Sequence, residues 1–202
     1  RVDFRVWNAQ VVDSVINGGL WDPYNNQHMG NCGELCAREM NFTREAQDAY
    51  AIDSYKRAQA ALAGGKFKAE IAPIEIKGAK GEATLVENDE GPPKAKLDKI
   101  PGLKPAFDKS GTITAANASS INDGAAALVL ASEDKAKALG LKPIARIVSQ
   151  GTHAQDPVWF TTAPATAMKR ALDAAGWKID QVDLFEVNEA FAVVPMAAMK
   201  DL

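Results

Sequence analysis

The chain has 202 residues, 47% hydrophobic and 24% charged, with a formal net charge of -3. That length admits one large domain or two small ones, and the mild acidity leaves no dominating basic face for nucleic acid. No run of about 18 apolar residues exists to form a membrane-spanning helix, and two cysteines cannot build a disulfide framework. With no signal-peptide pattern, a reducing, cytoplasmic compartment is expected. Beginning on Arg1 and stopping at Leu202 just after an apolar helix-like run, the sequence reads as an internal piece of a longer chain.

The apolar spacing of Val11, Val12, Val15 and Ile16 predicts a helix over 10–16 that Gly18-Gly19 stops. Turn chemistry follows over 21–26. A short helix is expected over 33–40, then a longer one over 44–62 with Thr43 as N-cap and Gly64-Gly65 as its end. Phe67, Ile71, Ile74 and Ile76 predict one or two short strands broken by Pro73, and 83–86 predicts another. Residues 87–110, rich in Pro, Lys and Asp, read as a long surface loop, of the kind that is functional or mobile.

The second half alternates. A buried strand is predicted over 125–131, a helix over 133–139 with Ser132 as cap and Gly140 as stop, and a strand over 144–149. A helix over 165–175 follows, opened by Pro164 and closed by Gly176. Then come a strand over 182–187 and a helix over 189–199. Strand and helix in alternation imply an α/β fold, a parallel or mixed sheet covered by helices.

Several constellations could carry chemistry, and each has a plainer reading. Cys32 and Cys36, four apart, with His28 four residues earlier, fall short of the four ligands a zinc site takes, so no metal site is expected. Small core cysteines are the commoner case, and nothing local besides His28 would stabilise a thiolate. His28-Met29-Gly30 lies between a turn and a helix, where a histidine either donates to a ligand or satisfies a nearby carbonyl. The small, polar run 114–120, followed by Asn122-Asp123-Gly124, lets a backbone approach a ligand closely or is simply a tight loop. Asn188 stands where a strand gives way to a helix, a position that suits an oxyanion-binding amide or an ordinary N-cap. Lys94, Lys96, Lys99, Lys104 and Lys109 could meet phosphates or form a solvated loop, and no glycine-rich phosphate loop accompanies them.

Taken in order, the segments resemble the thiolase family of acetyl-CoA acetyltransferases and 3-ketoacyl-CoA thiolases. The resemblance rests on His28-Met29-Gly30, on Thr43 to Asp48, and on Lys104-Pro105-Ala106-Phe107. It continues through Gly111 to Ser119, Asn122 to Ala126, Ala174 to Trp177, and Asn188-Glu189-Ala190-Phe191-Ala192. It implies a thiolase-like fold, of which this chain holds part: an α+β loop domain over 1–119 that binds coenzyme A, followed by pieces of two βαβαβαββ halves. On that template 120–150 closes the first half and 151–202 opens the second.

Carried over by residue, the resemblance makes His28 and Met29 pocket residues beside the acyl-pantetheine. It makes Phe107 and Ser119 pantetheine contacts with Ala115 nearby, and Phe191 a wall of the acyl pocket. Asn188 becomes the amide that fixes a catalytic water in an oxyanion hole. Lys94, Lys96 and Lys99 fall where family members bind adenosine and its phosphate. The segment 156–164, with Phe160 bordering the acyl pocket, departs from the more usual Met-Gly-x-Gly-Pro. The implied activity is condensation of two acetyl-CoA, or the reverse thiolysis of a 3-ketoacyl-CoA such as acetoacetyl-CoA, in lipid metabolism. Coenzyme A thioesters are the substrates, no cofactor is required, and the family is dimeric or tetrameric. A degradative longer-chain thiolase and a non-catalytic coenzyme A-binding or assembly module are the alternatives. Thiolases also need a nucleophilic cysteine, a Gly-His-Pro histidine and a Cys-x-Gly-Gly-Gly cysteine. None is in this sequence, so the 202-residue chain alone is expected to be inactive.

Overall fold

The computed structural model describes residues 10–78 and 81–202. The first nine positions of the expected 1–119 loop domain therefore lie outside the described residues. The ordered elements are β1 (Trp21–Asp22), β2 (Gln27–His28), α1 (Met29–Glu39), α2 (Arg44–Ala63), β3 (Ile74–Lys77), β4 (Ala83–Val86), α3 (Gly91–Lys94), α4 (Glu133–Ala138), α5 (Ala163–Ala175) and α6 (Val193–Asp201). Strand β1 pairs antiparallel with β2, and β3 with β4 in the register Ile74 opposite Val86 and Lys77 opposite Ala83.

The buried core is small and lies between α1 and α6. Cys36, Ala37, Ile113, Phe191, Val193, Val194 and Ala197 form it, with Phe107, Phe160 and Val187 packed at its edge. Small residues on α1 allow this close approach. A Cβ at Gly30 would stand 2.3 Å from the Phe107 ring, and one at Gly33 would stand 2.4 Å from Ile113 Cδ1. Helix α2 keeps its expected cap, the Thr43 hydroxyl accepting from the Ala46 amide at 3.1 Å, and α4 keeps Ser132. Gly176 closes α5 at φ 67°, a left-handed conformation that glycine adopts without steric cost.

Several expectations need correction. The helix over 10–16 does not form. Asp13 Oδ1 instead accepts from the Val15 and Ile16 amides, so helical structure begins after Asp13 and runs as a π-helical turn, Ile16–Leu20, through both glycines. Helix α1 starts at Met29 rather than 33, because His28 caps it by accepting from the Gly30 amide. Only the stretch after Pro73 is a strand, the turns over 64–71 having taken up the preceding residues. The loop 87–110 holds two helical turns, α3 with its Pro92-Pro93 start and the 3-10 turn Leu97–Gly102.

The strands predicted over 125–131, 144–149 and 182–187 are absent as ladders. All three segments carry no strand assignment, and Val129, Ile144 and Leu184 are 96%, 104% and 85% exposed. A parallel or mixed strand exists only alongside a neighbour, and none of the described residues pairs with them. The accessible surface of 15713 Å² compares with about 9,200 Å² for a compact chain of this mass. Leu128, Leu130, Ile147 and Phe185 on these segments are exposed as well. Finally, α6 begins at Val193, not 189. Residues 190–192 are held instead by a bridge between Ala118 and Phe191.

Candidate functional site

Four of the sequence-derived residues converge at the mouth of the core. The His28 ring stacks on Phe107 with centroids 4.6 Å apart and an interplanar angle of 28°. Phe107 meets Phe191 edge to face at 6.2 Å, and Phe107 and Phe160 both pack against the cluster that buries Phe191. His28 Nδ1 accepts from the Gly30 amide at 3.0 Å, so the neutral ring carries its proton on Nε2. Burial lowers the His28 pKa below the ordinary histidine value, which favours that neutral form. The result is a half-buried aromatic wall with one N–H donor. Met29 is half-buried as the first residue of α1.

The remaining residues lie in two grooves beside this wall. Ala115 shares a groove of about 300 Å³ with Lys96, Lys99, Tyr55, Ile100 and Leu103. Two lysines thus line it together with the apolar Ile100, Leu103 and Ala115. Ser119 lies in a second groove of about 320 Å³ with Tyr50, Ser54, Asn122 and Glu189, and Tyr55 borders both. The Ser119 hydroxyl donates to the Glu189 carbonyl at 2.5 Å, so its proton is already engaged within the protein. Lys94 borders neither groove and pairs with Glu90 one helical turn away. Asn188 is exposed and precedes Glu189. It does not cap α6, whose N-cap is Ala192.

The segment 111–117 that carries Ala115 is fastened by residues whose part composition did not disclose. The buried Glu34 carboxylate accepts from the Thr112 amide at 2.8 Å, the Ile113 amide at 2.8 Å and the Thr112 hydroxyl at 3.0 Å. Gln47 Nε2 donates to Thr112 Oγ1 at 2.9 Å. Asn117 accepts from the Thr114 amide at 2.7 Å and donates to Asp48 Oδ1 and to the Thr112 carbonyl, both at 3.1 Å. Arg44 completes the set, with its Nε on Asp48 at 2.7 Å and its Nη2 on the Ile100 and Leu103 carbonyls. One network thus ties α1, α2 and the floor of the lysine groove together. A charged residue in the middle of a helix otherwise lined by Gly33, Cys32 and Cys36 was the available signal for Glu34.

Neither cysteine is a nucleophile in this setting. Cys32 and Cys36 are fully buried, and burial raises both thiol pKa values above the ordinary one. Among the described residues no cluster of histidine, cysteine or carboxylate could hold a metal ion.

Comparison with known proteins accounts for this arrangement. Residues 1–134 match the family model described as thiolase, N-terminal domain, and residues 141–202 the one described as thiolase, C-terminal domain. A probable acetyl-CoA acetyltransferase of Dictyostelium discoideum is 51% identical over 202 residues, covering 100% of this chain and 49% of that protein. An acetyl-CoA acetyltransferase of Yarrowia lipolytica is 51% identical over 195 residues, 96% of this chain and 49% of its own length. The crystal structure of the Bacillus anthracis acetyl-CoA acetyltransferase superposes with a TM-score of 0.90 at 39% identity, covering 98% of this chain and 50% of the other. The acetyl-CoA acetyltransferase of Syntrophomonas wolfei gives 0.88 at 36%, covering 98% and 50%. The chain spans about half the length of the curated relatives it matches. Its fold is thiolase-like, as the ordered motifs imply.

Proposed function

Because this chain belongs to the thiolase family, we propose that the protein acts as an acetyl-CoA C-acetyltransferase, condensing two acetyl-CoA or cleaving acetoacetyl-CoA with coenzyme A. The single observation that carries the proposal is the convergence of His28, Phe107, Phe160 and Phe191 on one wall, in a chain about half identical to proteins named acetyl-CoA acetyltransferase. The chemistry is covalent. Acyl transfer through a cysteine thioester divides a difficult Claisen exchange into two easier steps.

In this reading the chain supplies binding and polarisation. Phe107 and the exposed backbone at Ala115 hold the pantetheine arm, with Ser119 serving through its backbone position. Lys96 and Lys99 meet the nucleotide phosphate, and Lys94 belongs to the same loop at its periphery. His28 Nε2–H and Met29 face the thioester. The Asn188 amide orients a water whose dipole stabilises the developing oxyanion, a preorganised donor being effective where charge appears. Cys32 and Cys36 take no part, so the 202-residue chain by itself is inactive. The loop domain extends over 1–119, with 120–150 and 151–202 belonging to the two thiolase halves.

In this reading Phe160 and Phe191, which pack in and against the core, wall the acyl end and favour acetyl over long acyl groups. Rates on acetoacetyl-CoA and on a long-chain 3-ketoacyl-CoA test this. A large preference for the short substrate is expected, and a preference for the long one would reassign the protein as a degradative thiolase. We further propose a cytoplasmic, homodimeric or homotetrameric enzyme of lipid metabolism. Ile74, Ile76 and Leu85 on the hairpin β3–β4 are 65%, 54% and 56% exposed. A two-stranded hairpin is marginal alone in water, so a second copy packed on it would stabilise it.

A further inference from the structure

Asn188 is exposed and lies between residues 182–187, which pair with no strand among the described residues, and α6, which begins at Val193. The next residue is firmly held. The Tyr50 hydroxyl donates to Glu189 Oε1 at 2.8 Å, and the Ser54 hydroxyl donates to Oε2 at 2.8 Å. Four residues apart, Tyr50 and Ser54 share one face of α2. The backbone is pinned separately. Ser119 Oγ donates to the Glu189 carbonyl at 2.5 Å and the Ser119 amide to the Ala190 carbonyl at 3.0 Å, while the Ala192 amide donates to the Asn117 carbonyl at 2.8 Å.

We propose that Glu189, gripped by Tyr50 and Ser54, is a positioning residue that sets the Asn188 amide for the reacting oxygen. The inference rests on the oxyanion role given to Asn188 above. Three features make the grip suited to the task. Both carboxylate oxygens are used, which fixes rotation as well as distance. Burial, together with the adjacent carboxylate, pushes the Tyr50 pKa up to about 12, so this phenol stays a donor throughout the working pH range. The grip also reaches from α2, the helix whose Arg44 holds the Ile100 and Leu103 carbonyls of the lysine groove, so both ends of the substrate would be referred to one element.

The test uses the full-length protein and two readouts. Hydrogen exchange at the Ala192 amide reads the clamp without reference to activity. Glu189→Ala is expected to speed it about tenfold, and Glu189→Gln, which can accept from Tyr50 and donate to Ser54, is expected to leave it within about threefold. Cleavage of acetoacetyl-CoA reads the consequence. Glu189→Ala, and the double variant Tyr50→Phe/Ser54→Ala, are expected to lower kcat at least tenfold with KM nearly unchanged. The same substitutions placed on Asn188→Ala are expected to cost nothing more. Unchanged exchange in Glu189→Ala overturns the clamp, and an equal loss of kcat in both backgrounds overturns positioning through Asn188. Absence of cleavage by the unmodified protein would instead overturn the assigned reaction, with the exchange result still reporting on the clamp.

Discussion

Replacing Gly30 by alanine isolates the aromatic wall from everything else. The added methyl would stand 2.3 Å from Cδ2 and Cγ and 2.4 Å from Cε2 of Phe107. Carbon atoms rest at about 3.5–4.0 Å, so the ring must retreat by more than about 1 Å. It cannot do so cheaply, because its other contacts are His28 at 4.6 Å and Phe191 at 6.2 Å on the edge of the core. Overpacking of this kind costs about 1–3 kcal/mol, and it also opens the His28 stack. Gly102→Ala is the control, since nothing lies within 4 Å of its added Cβ. Chemical denaturation of the full-length protein should show Gly30→Ala destabilised by that amount and Gly102→Ala near neutral. Coenzyme A binding, followed by calorimetry, should weaken severalfold in Gly30→Ala alone. Equal behaviour of the two variants would refute the close packing of Phe107 on α1.

Other expectations follow from the same structure. Glu34→Ala strands the Thr112 and Ile113 amides and the Thr112 hydroxyl. It should cost about 2–4 kcal/mol, measured by urea denaturation, and should loosen exchange across 111–117. Cys32 and Cys36 should resist iodoacetamide at neutral pH in the native protein and react once it is unfolded, since burial raises both thiol pKa values. With its pKa raised from 10 to about 12, Tyr50 contributes stability that is fully present below pH 10 and is lost as pH rises toward 12. An ultraviolet titration should show a late tyrosine ionisation that Tyr50→Phe abolishes.

The sequence made local structure legible wherever one residue decided it. Thr43 and Ser132 cap α2 and α4 as their hydroxyls require, and Gly176 ends α5. His28, Phe107 and Phe191, 163 positions apart at the extremes, lie together in the structure, and only the ordered motifs link them in the sequence. No periodicity could bring an N-cap histidine under a ring from a proline-rich loop. The strands over 125–131, 144–149 and 182–187 misled for the opposite reason. Their apolar runs are those of sheet interiors, but a ladder is a property of two segments, and the described residues hold no second one. Glu34 looks like surface until the Thr112 and Ile113 donors facing it are placed in space, and Glu189, which is exposed, shows no partner until Tyr50 and Ser54 are placed beside it.

The central claim is tested most directly by incubating the full-length protein with acetoacetyl-CoA and coenzyme A and measuring acetyl-CoA formed by wild type and by Asn188→Ala. The account predicts acetyl-CoA produced at two equivalents per acetoacetyl-CoA by the wild type and a rate lower by about 10²-fold or more in the variant. Coenzyme A binding without any cleavage by the wild type, or cleavage indifferent to Asn188→Ala, would contradict it.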